Sequence, residues 1–465
     1  MKELHRFANV PVVVADTMRW NVMQLWAEIE RGLSIAAKKH GGETLSLGVD
    51  TWGVDYALLS KSNELLGQPF NYRDSRTDGV AEESFKTVSR EKIFQGSGLQ
   101  FMPFNTLFQL LAAQKSNPEI LREAACFLMV PDFLHWCLCG SRVVEVTNAS
   151  TTQFLNPLTG RWNLPILKKL GIPTHFLPKL VPPGKRLGLL RPSVQKRTGL
   201  PAIQVVAPPT HDTASAVAAV PTTRTGKANW AYLSSGTWSL LGVELDKPVL
   251  TSRALELNMT NEVGIDGTFR LLKNIMGLWL VQRCKAAFDS KGKSFDYPRL
   301  AEMASASEPF RSLLDLEDGR FLNPPDMPAA MQGFCRETKQ PIPKTIGHFI
   351  RCAYESLALA YRKTLEELEE LTGERIEVLH IVGGGSSNIV LNRFAAEACQ
   401  IPVVAGPTEA TALGNILTQV RTFGGLTSLS DMRMAVRNST GVKIFKPENH
   451  AKWQEASKRF RDLAR

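Results

Sequence analysis

Residues 207–217, APPTHDTASAV, place one carboxylate, Asp212, between His211 and Thr213. Prolines precede it and small uncharged residues follow. Such a carboxylate can cap a helix, hold a metal, orient a histidine or take a proton itself. Capping by Asp212 or Thr213 of the helix beginning at ASAVAAV would be worth about 1 kcal/mol. A Ser-His-Asp triad is defined by geometry, and adjacency of His211 and Asp212 does not support one. A carboxylate placed to accept a proton from a substrate hydroxyl fits the general scheme of phosphoryl transfer. Cap and base are compatible, because a helix start is a rigid mount.

Two glycine-rich turns could receive an anion. Ser235-Gly236-Thr237 offers backbone N–H groups and a hydroxyl, a cradle for phosphate oxygens. Gly383-Gly384-Gly385-Ser386-Ser387 lies between a strand end and a helix start, where ligands commonly bind in α/β sheets. Singly each is an ordinary tight turn; together they point to a nucleotide. Gly292-Lys293-Ser294 is not a P-loop, because the glycine required at position 287 is Ala. No G-x-G-x-x-G follows a strand and no G-x-S-x-G elbow is present.

The other acidic candidates are Asp50 and Asp55 in GVDTWGVDYALL, where Trp52 beside Gly53 either stacks on a sugar or plugs a core. Arg73, Asp74, Arg76 and Asp78 form a solvated ion-pair loop or a polar substrate wall. His135, Cys137 and Cys139 tempt a metal reading, but on a helix their two-residue spacing diverges and no second ligand pair follows. They read as core residues, and no metal ligand is assigned.

These groups need rigid supports. Residues 21–40 read as an amphipathic helix capped by Asn21 and stopped by Gly41-Gly42. TLSLGVD reads as a half-buried strand, and VDYALLS, KSNE and LLGQPF as a hairpin. A helix is expected around 104–116, a strand–tight turn–strand unit over 228–245, and a long helix over 344–373 closed by Gly373. VLHIV leads as a buried strand into GGGSSN and a helix, and PVVAGP with TEATALGNILTQV repeats that pattern. Intermixed strands and helices predict an α/β protein with mixed sheets. Pro221–Gly226 reads as a domain junction, and the last fifteen residues as a surface helix.

Composition excludes several classes. The 465 residues exceed one core, and 43% hydrophobic with 22% charged residues is an ordinary globular balance. No apolar run nears the ~20 residues needed to span a bilayer, and the N-terminus lacks a secretory layout. A cytoplasmic chain with seven reduced cysteines is expected. The net charge of +10 is dispersed without a nucleic-acid module, so neither nucleic acid nor membrane is an expected partner.

GVDTWGVDYALL, YRDSRTDG, HDTASAV, YLSSGTWSL, LKNIMGLWL, HIVGGGSSN and GPTEATALGN together resemble the FGGY carbohydrate kinases, over about residues 3–440. The resemblance implies two ribonuclease-H-like, actin-like ATPase domains around a central cleft, with sugar bound by residues 1–220 and nucleotide by 221–465. It implies ATP- and Mg2+-dependent phosphorylation of a sugar, L-rhamnulose, at its 1-hydroxyl, by a monomer or homodimer. It makes Asp212 the catalytic base, and places Gly53, His211, Asp212, Thr213 and Asn274 on the sugar. Thr237, Gln282 and Gly384 would lie along the nucleotide. The family's first domain opens with an Asp-x-Gly-x-Ser-Ser-Gly-Arg-like hairpin that handles magnesium and phosphate; here the chain begins after it, which predicts a first sheet short of central strands. Alternatives are a kinase of another ketose such as L-fuculose, or a non-catalytic sugar- or nucleotide-binding relative.

Overall fold

The computed structural model describes residues 1–448 and 450–463, divided into two compact units. The first contains residues 1–219, 246–270 and 411–432; the second contains 220–245, 271–410 and 433–465.

In the first unit, helix Val22–His40 starts as its sequence dictates: the Asn21 side chain accepts the Gln24 N–H at 3.2 Å. The strand expected in TLSLGVD shortens to Ser46–Leu47, which pairs in parallel only with Gln204 and Val205. Leu45 is left 75% exposed. A strand extends only as far as its partner, and the alternation of apolar residues could not report the partner's length. The Tyr56–Leu59 strand does fold back, through an antiparallel bridge from Leu59 to Leu65, but its full partner is Cys126–Met129. The core beneath is aromatic: Phe127 meets Tyr56, Phe154, Trp162 and Phe176 at centroid distances of 5.2–6.5 Å. The strands within residues 12–207 form only two- and three-stranded sheets.

The second unit is built on a larger mixed sheet. Strands Ala231–Ser235 and Trp238–Leu245 form the expected hairpin, with Ser235 opposite Ser239. Ala231–Ser235 also runs parallel to Leu379–Val382, which is parallel in turn to Val403–Ala405. Helix Ile346–Thr372 ends where Gly373 turns left-handed at φ 71°. The final helix, His450–Leu463, is not simply a surface element, because Trp453, Ala456 and Phe460 are buried. All seven cysteines are free thiols.

Candidate active site

Strand Gln204–Ala207 delivers the Thr210-His211-Asp212 turn, and Pro208-Pro209 end its ladder by removing two donors. Thr51 then locks the turn from both sides. Its N–H donates to the Thr210 carbonyl at 2.9 Å, and its carbonyl accepts the Asp212 N–H at 2.8 Å. Helix Asp212–Ala218 follows, with His211 at the cap position but making no capping bond. Asp212 is the first helical residue and not the cap. Its Oδ1 accepts the Thr213 N–H at 2.6 Å and the Thr213 hydroxyl at 3.3 Å. The side chain remains 46% exposed, open to a substrate, whereas Thr213 is buried. The small residues after it have a packing reason: a Cβ on Gly414 would collide with the Ser215 carbonyl, so these two segments touch backbone to backbone.

His211 is buried, with 6% of its surface exposed. Its Nε2 is 3.5 Å from Asp212 Oδ1, and its Nδ1 is 3.2 Å from Glu262 Oε2. Arg270, fully buried, stands 3.0 Å from the same Glu262 oxygen. Burial raises the Glu262 carboxyl, but Arg270 and His211 outweigh it and hold the group below its ordinary range. A second buried carboxylate, Glu145, ties the turn down. It accepts the Thr210 N–H at 2.8 Å and hydroxyl at 2.9 Å, and the Thr147 N–H at 2.9 Å and hydroxyl at 2.5 Å. The Thr147 hydroxyl in turn accepts the His211 N–H at 3.3 Å.

Asp50 comes from the GVDTWG segment and is half-buried. Burial pushes its carboxyl up to about 7; the Asn415 bond opposes this and the charge of Asp212 adds to it. Gly53 is held against Thr151, where a Cβ would stand 2.9 Å from both Thr151 Cγ2 and Oγ1. Trp52 takes the structural role. Its ring packs tilted against Trp20 at a centroid distance of 4.2 Å, and both indoles donate to Asp55 Oδ2, at 3.0 and 2.6 Å. Asp55 is a buried anchor, its carboxyl pushed up to about 6 by burial against those hydrogen bonds. In the 71–79 loop, Arg76 donates to Gln109 and covers the Phe70 ring at 3.7 Å, and Asp74 is buried. His135 accepts the Val49 N–H at 3.0 Å, and burial lowers its pKa to about 3, so it is a neutral core residue. Cys137 and Cys139 are half-buried. Among the described residues, no group of three or more His, Cys, Asp or Glu could hold a metal.

The nucleotide-side candidates lie in the second unit. Gly236 N–H donates to the Trp238 carbonyl at 2.9 Å, closing the SSGTWS turn. The Thr237 hydroxyl donates to Gln282 Oε1 at 3.3 Å, bringing two of the expected residues together. Helix Trp279–Asp289 carries Gln282 and is braced on the hairpin, with Trp279 N–H donating to the Thr237 carbonyl at 3.2 Å. Gly384 is exposed in the turn after Leu379–Val382, and its neighbour Gly385 packs on Ser235 of the hairpin. Asn274 is half-buried on strand Phe269–Met276. Sequence reasoning missed Glu145, Glu262 and Arg270. Glu145 left a faint signal, an acid two residues before Thr147; Glu262 and Arg270 left none, because they meet His211 only in three dimensions.

The FGGY carbohydrate kinase N-terminal domain model matches residues 8–219 and the C-terminal domain model matches 231–423. The chain belongs to the FGGY family of carbohydrate kinases, phosphotransferases that use ATP to phosphorylate sugars. It is 45% identical to a rhamnulokinase of Bacteroides thetaiotaomicron over all of this chain and 94% of that one. It is 41% identical to a rhamnulokinase of Bacillus subtilis over 97% of this chain and 90% of that one. A ligand-bound xylulose kinase structure from Lactobacillus acidophilus shares the two-domain fold at TM-score 0.77 and 14% identity, covering 98% of this chain and 90% of that one.

Proposed function

We propose that this kinase phosphorylates L-rhamnulose on its 1-hydroxyl, with Asp212 as the base. The substrate reading is supported by the 45% identity to a rhamnulokinase across the whole chain. The role of Asp212 is carried by one observation: its carboxylate is half-exposed yet rigidly mounted, at the start of a helix whose entry is locked by Thr51. The first unit is the sugar-binding domain, through Gly53 and the His211-Asp212-Thr213 turn. The second binds ATP through Thr237, Gln282 and Gly384, and Asn274 contributes a further sugar contact.

Phosphoryl transfer is mostly a problem of position and charge. The attacking hydroxyl gives its proton to Asp212 as its oxygen bonds to the γ-phosphorus, and ADP leaves. Magnesium enters with ATP as part of the substrate. No helix among the described residues is long and apolar enough to cross a membrane, and we place the reaction in the cytoplasm.

The test measures ADP release with L-rhamnulose, L-fuculose, D-ribulose, D-xylulose and glycerol. A clear preference for L-rhamnulose is expected, and equal or better use of another sugar overturns the substrate. Asp212→Asn should lower kcat by on the order of 10²–10⁴ while sugar still binds by calorimetry; near-normal turnover removes Asp212 as base.

A further inference from the structure

A buried arginine reaches the histidine beside the proposed base. Arg270 on strand Phe269–Met276 is fully buried, and so is Glu262 on the adjoining strand Thr260–Val263. Burying a guanidinium with a carboxylate does not by itself favour stability over apolar residues of the same size. The contacts of this pair with His211 give it another use.

A guanidinium donates and never accepts. The Arg270 Nη2 nitrogen carries two protons; one goes to the Val263 carbonyl at 3.2 Å and the other to His211 Nδ1 at 3.3 Å. Glu262 Oε2 lies 3.0 Å from Nη2 and 3.2 Å from Nδ1, yet takes no hydrogen bond from either. It balances the charge of the arginine and makes no claim on the ring proton. Nδ1 is therefore an acceptor, and the neutral ring carries its proton on Nε2.

Nε2 faces Asp212 Oδ1 at 3.5 Å. That separation is long for a hydrogen bond, as is usual before a substrate tightens a site. The same oxygen already takes the Thr213 N–H and hydroxyl, so the donors around this carboxylate converge on Oδ1. Among the described residues, none donates to Oδ2. The opposite tautomer would turn an Nε2 lone pair toward Oδ1 and repel the carboxylate.

We propose that Arg270 is a positioning residue that holds His211 as the Nε2–H tautomer, so that the ring aims a donor at Asp212 Oδ1 and leaves Oδ2 to take the proton of the sugar. This rests on Asp212 being the base. The step balances. The sugar O–H bond breaks and its proton goes to Oδ2, while the sugar oxygen bonds to the γ-phosphorus and the bond to ADP breaks. His211 keeps its Nε2 proton throughout; it orients the carboxylate and takes no proton from it.

Nitrogen-15 histidine spectra of the full-length protein read the tautomer directly, with the His211 signal identified by its loss in His211→Gln. Neutral His211 protonated on Nε2 is expected, and protonation on Nδ1 overturns the proposal. Arg270→Met combined with Glu262→Gln removes both charges and strands neither. In that variant the ring should mix tautomers, and kcat should fall by on the order of tenfold with sugar KM little changed. A ring still wholly Nε2–H, or an unchanged kcat, overturns the role of Arg270. A third reading is independent of how that variant folds. The amide of Gln places its N–H near Nε2 and that of Asn near Nδ1, so His211→Gln should keep several-fold more kcat than His211→Asn; the reverse order overturns the proposal. If Asp212→Asn stays active, the base fails and the proposal with it. If Asp212→Asn is inactive while His211 is protonated on Nδ1, the base stands and the proposal alone fails.

Discussion

Asn415 donates its side-chain amide to the Asp50 carboxylate at 2.5 Å, joining residues 365 positions apart. The same amide reaches the Gly48 carbonyl at 3.2 Å. Gln419 donates to Asn415 Oδ1 at 2.7 Å, and the Ser46 hydroxyl donates to Gln419 Oε1 at 2.7 Å. A line of amides on helix Ala410–Thr422 thus fixes the segment after strand Ser46–Leu47 that carries Asp50, whose carboxyl is raised further by the charge of Asp212.

Asp50 makes stability pH-dependent. Its folded carboxyl titrates at about 7, raised by burial, against roughly 3.9 in an unfolded chain. The folded state therefore holds the extra proton between those values. Its contribution is fully present below about pH 4 and is lost as pH rises through about 7. Asp50→Asn should change stability little at pH 4 and raise it relative to the parent at pH 8, by a few kcal/mol at most. Melting curves across that range check it; a gap independent of pH refutes the assignment.

Gly53→Ala places a Cβ 2.9 Å from Thr151 Cγ2 and Oγ1. The Thr151 hydroxyl also accepts the Val54 N–H at 2.9 Å, so the overlap displaces the loop and not only a side chain. Sugar KM should rise by roughly tenfold or more, because small misplacements cost binding and rate steeply, while ATP KM stays near its parent value. Adding Thr151→Ala should recover part of the loss in steady-state kinetics.

Gly385→Ala tests the nucleotide side. The new Cβ would stand 2.5 Å from Ser235 Cβ, forcing the GGGSS turn off the SSGTWS hairpin. ATP KM should rise at least several-fold with sugar KM unchanged, the reverse of Gly53→Ala. Nucleotide titration followed by intrinsic fluorescence gives a second measure.

Arg433 and Glu244 form a bidentate pair at 3.0 and 2.8 Å, with both side chains almost fully buried in the second unit. Arg433→Met strands the Glu244 charge and should cost about 3–5 kcal/mol, whereas Arg433→Met with Glu244→Leu should return most of it. Urea unfolding of both variants decides, and equal losses would show that the pair acts only by packing.

Most secondary structure was legible because its signals are local. Asn21, Gly373 and the period of residues 346–372 mark helix ends and faces through hydrogen bonds and side-chain spacing that reach only a few residues. The strand around Ser46 was overread because strand length depends on a partner 158 residues away, at Gln204. Residues 246–270 and 411–432 join the first unit through contacts that no local pattern encodes.

The same division runs through the site. By itself the sequence determined that Asp212 stands at a helix start, that Ser235–Thr237 is a tight turn between strands, and that seven motifs of a carbohydrate kinase follow in order. Those are properties of residue type and near-neighbour spacing. Only the tertiary structure decided that Asp212 is the first helical residue and not its cap, and that His211 is buried with Glu262 and Arg270 behind it. It also decided that Asn415 comes back to Asp50. A buried charge is tolerated only where distant residues supply its partners, and the protonation of such a group is set by those partners and by the water they exclude.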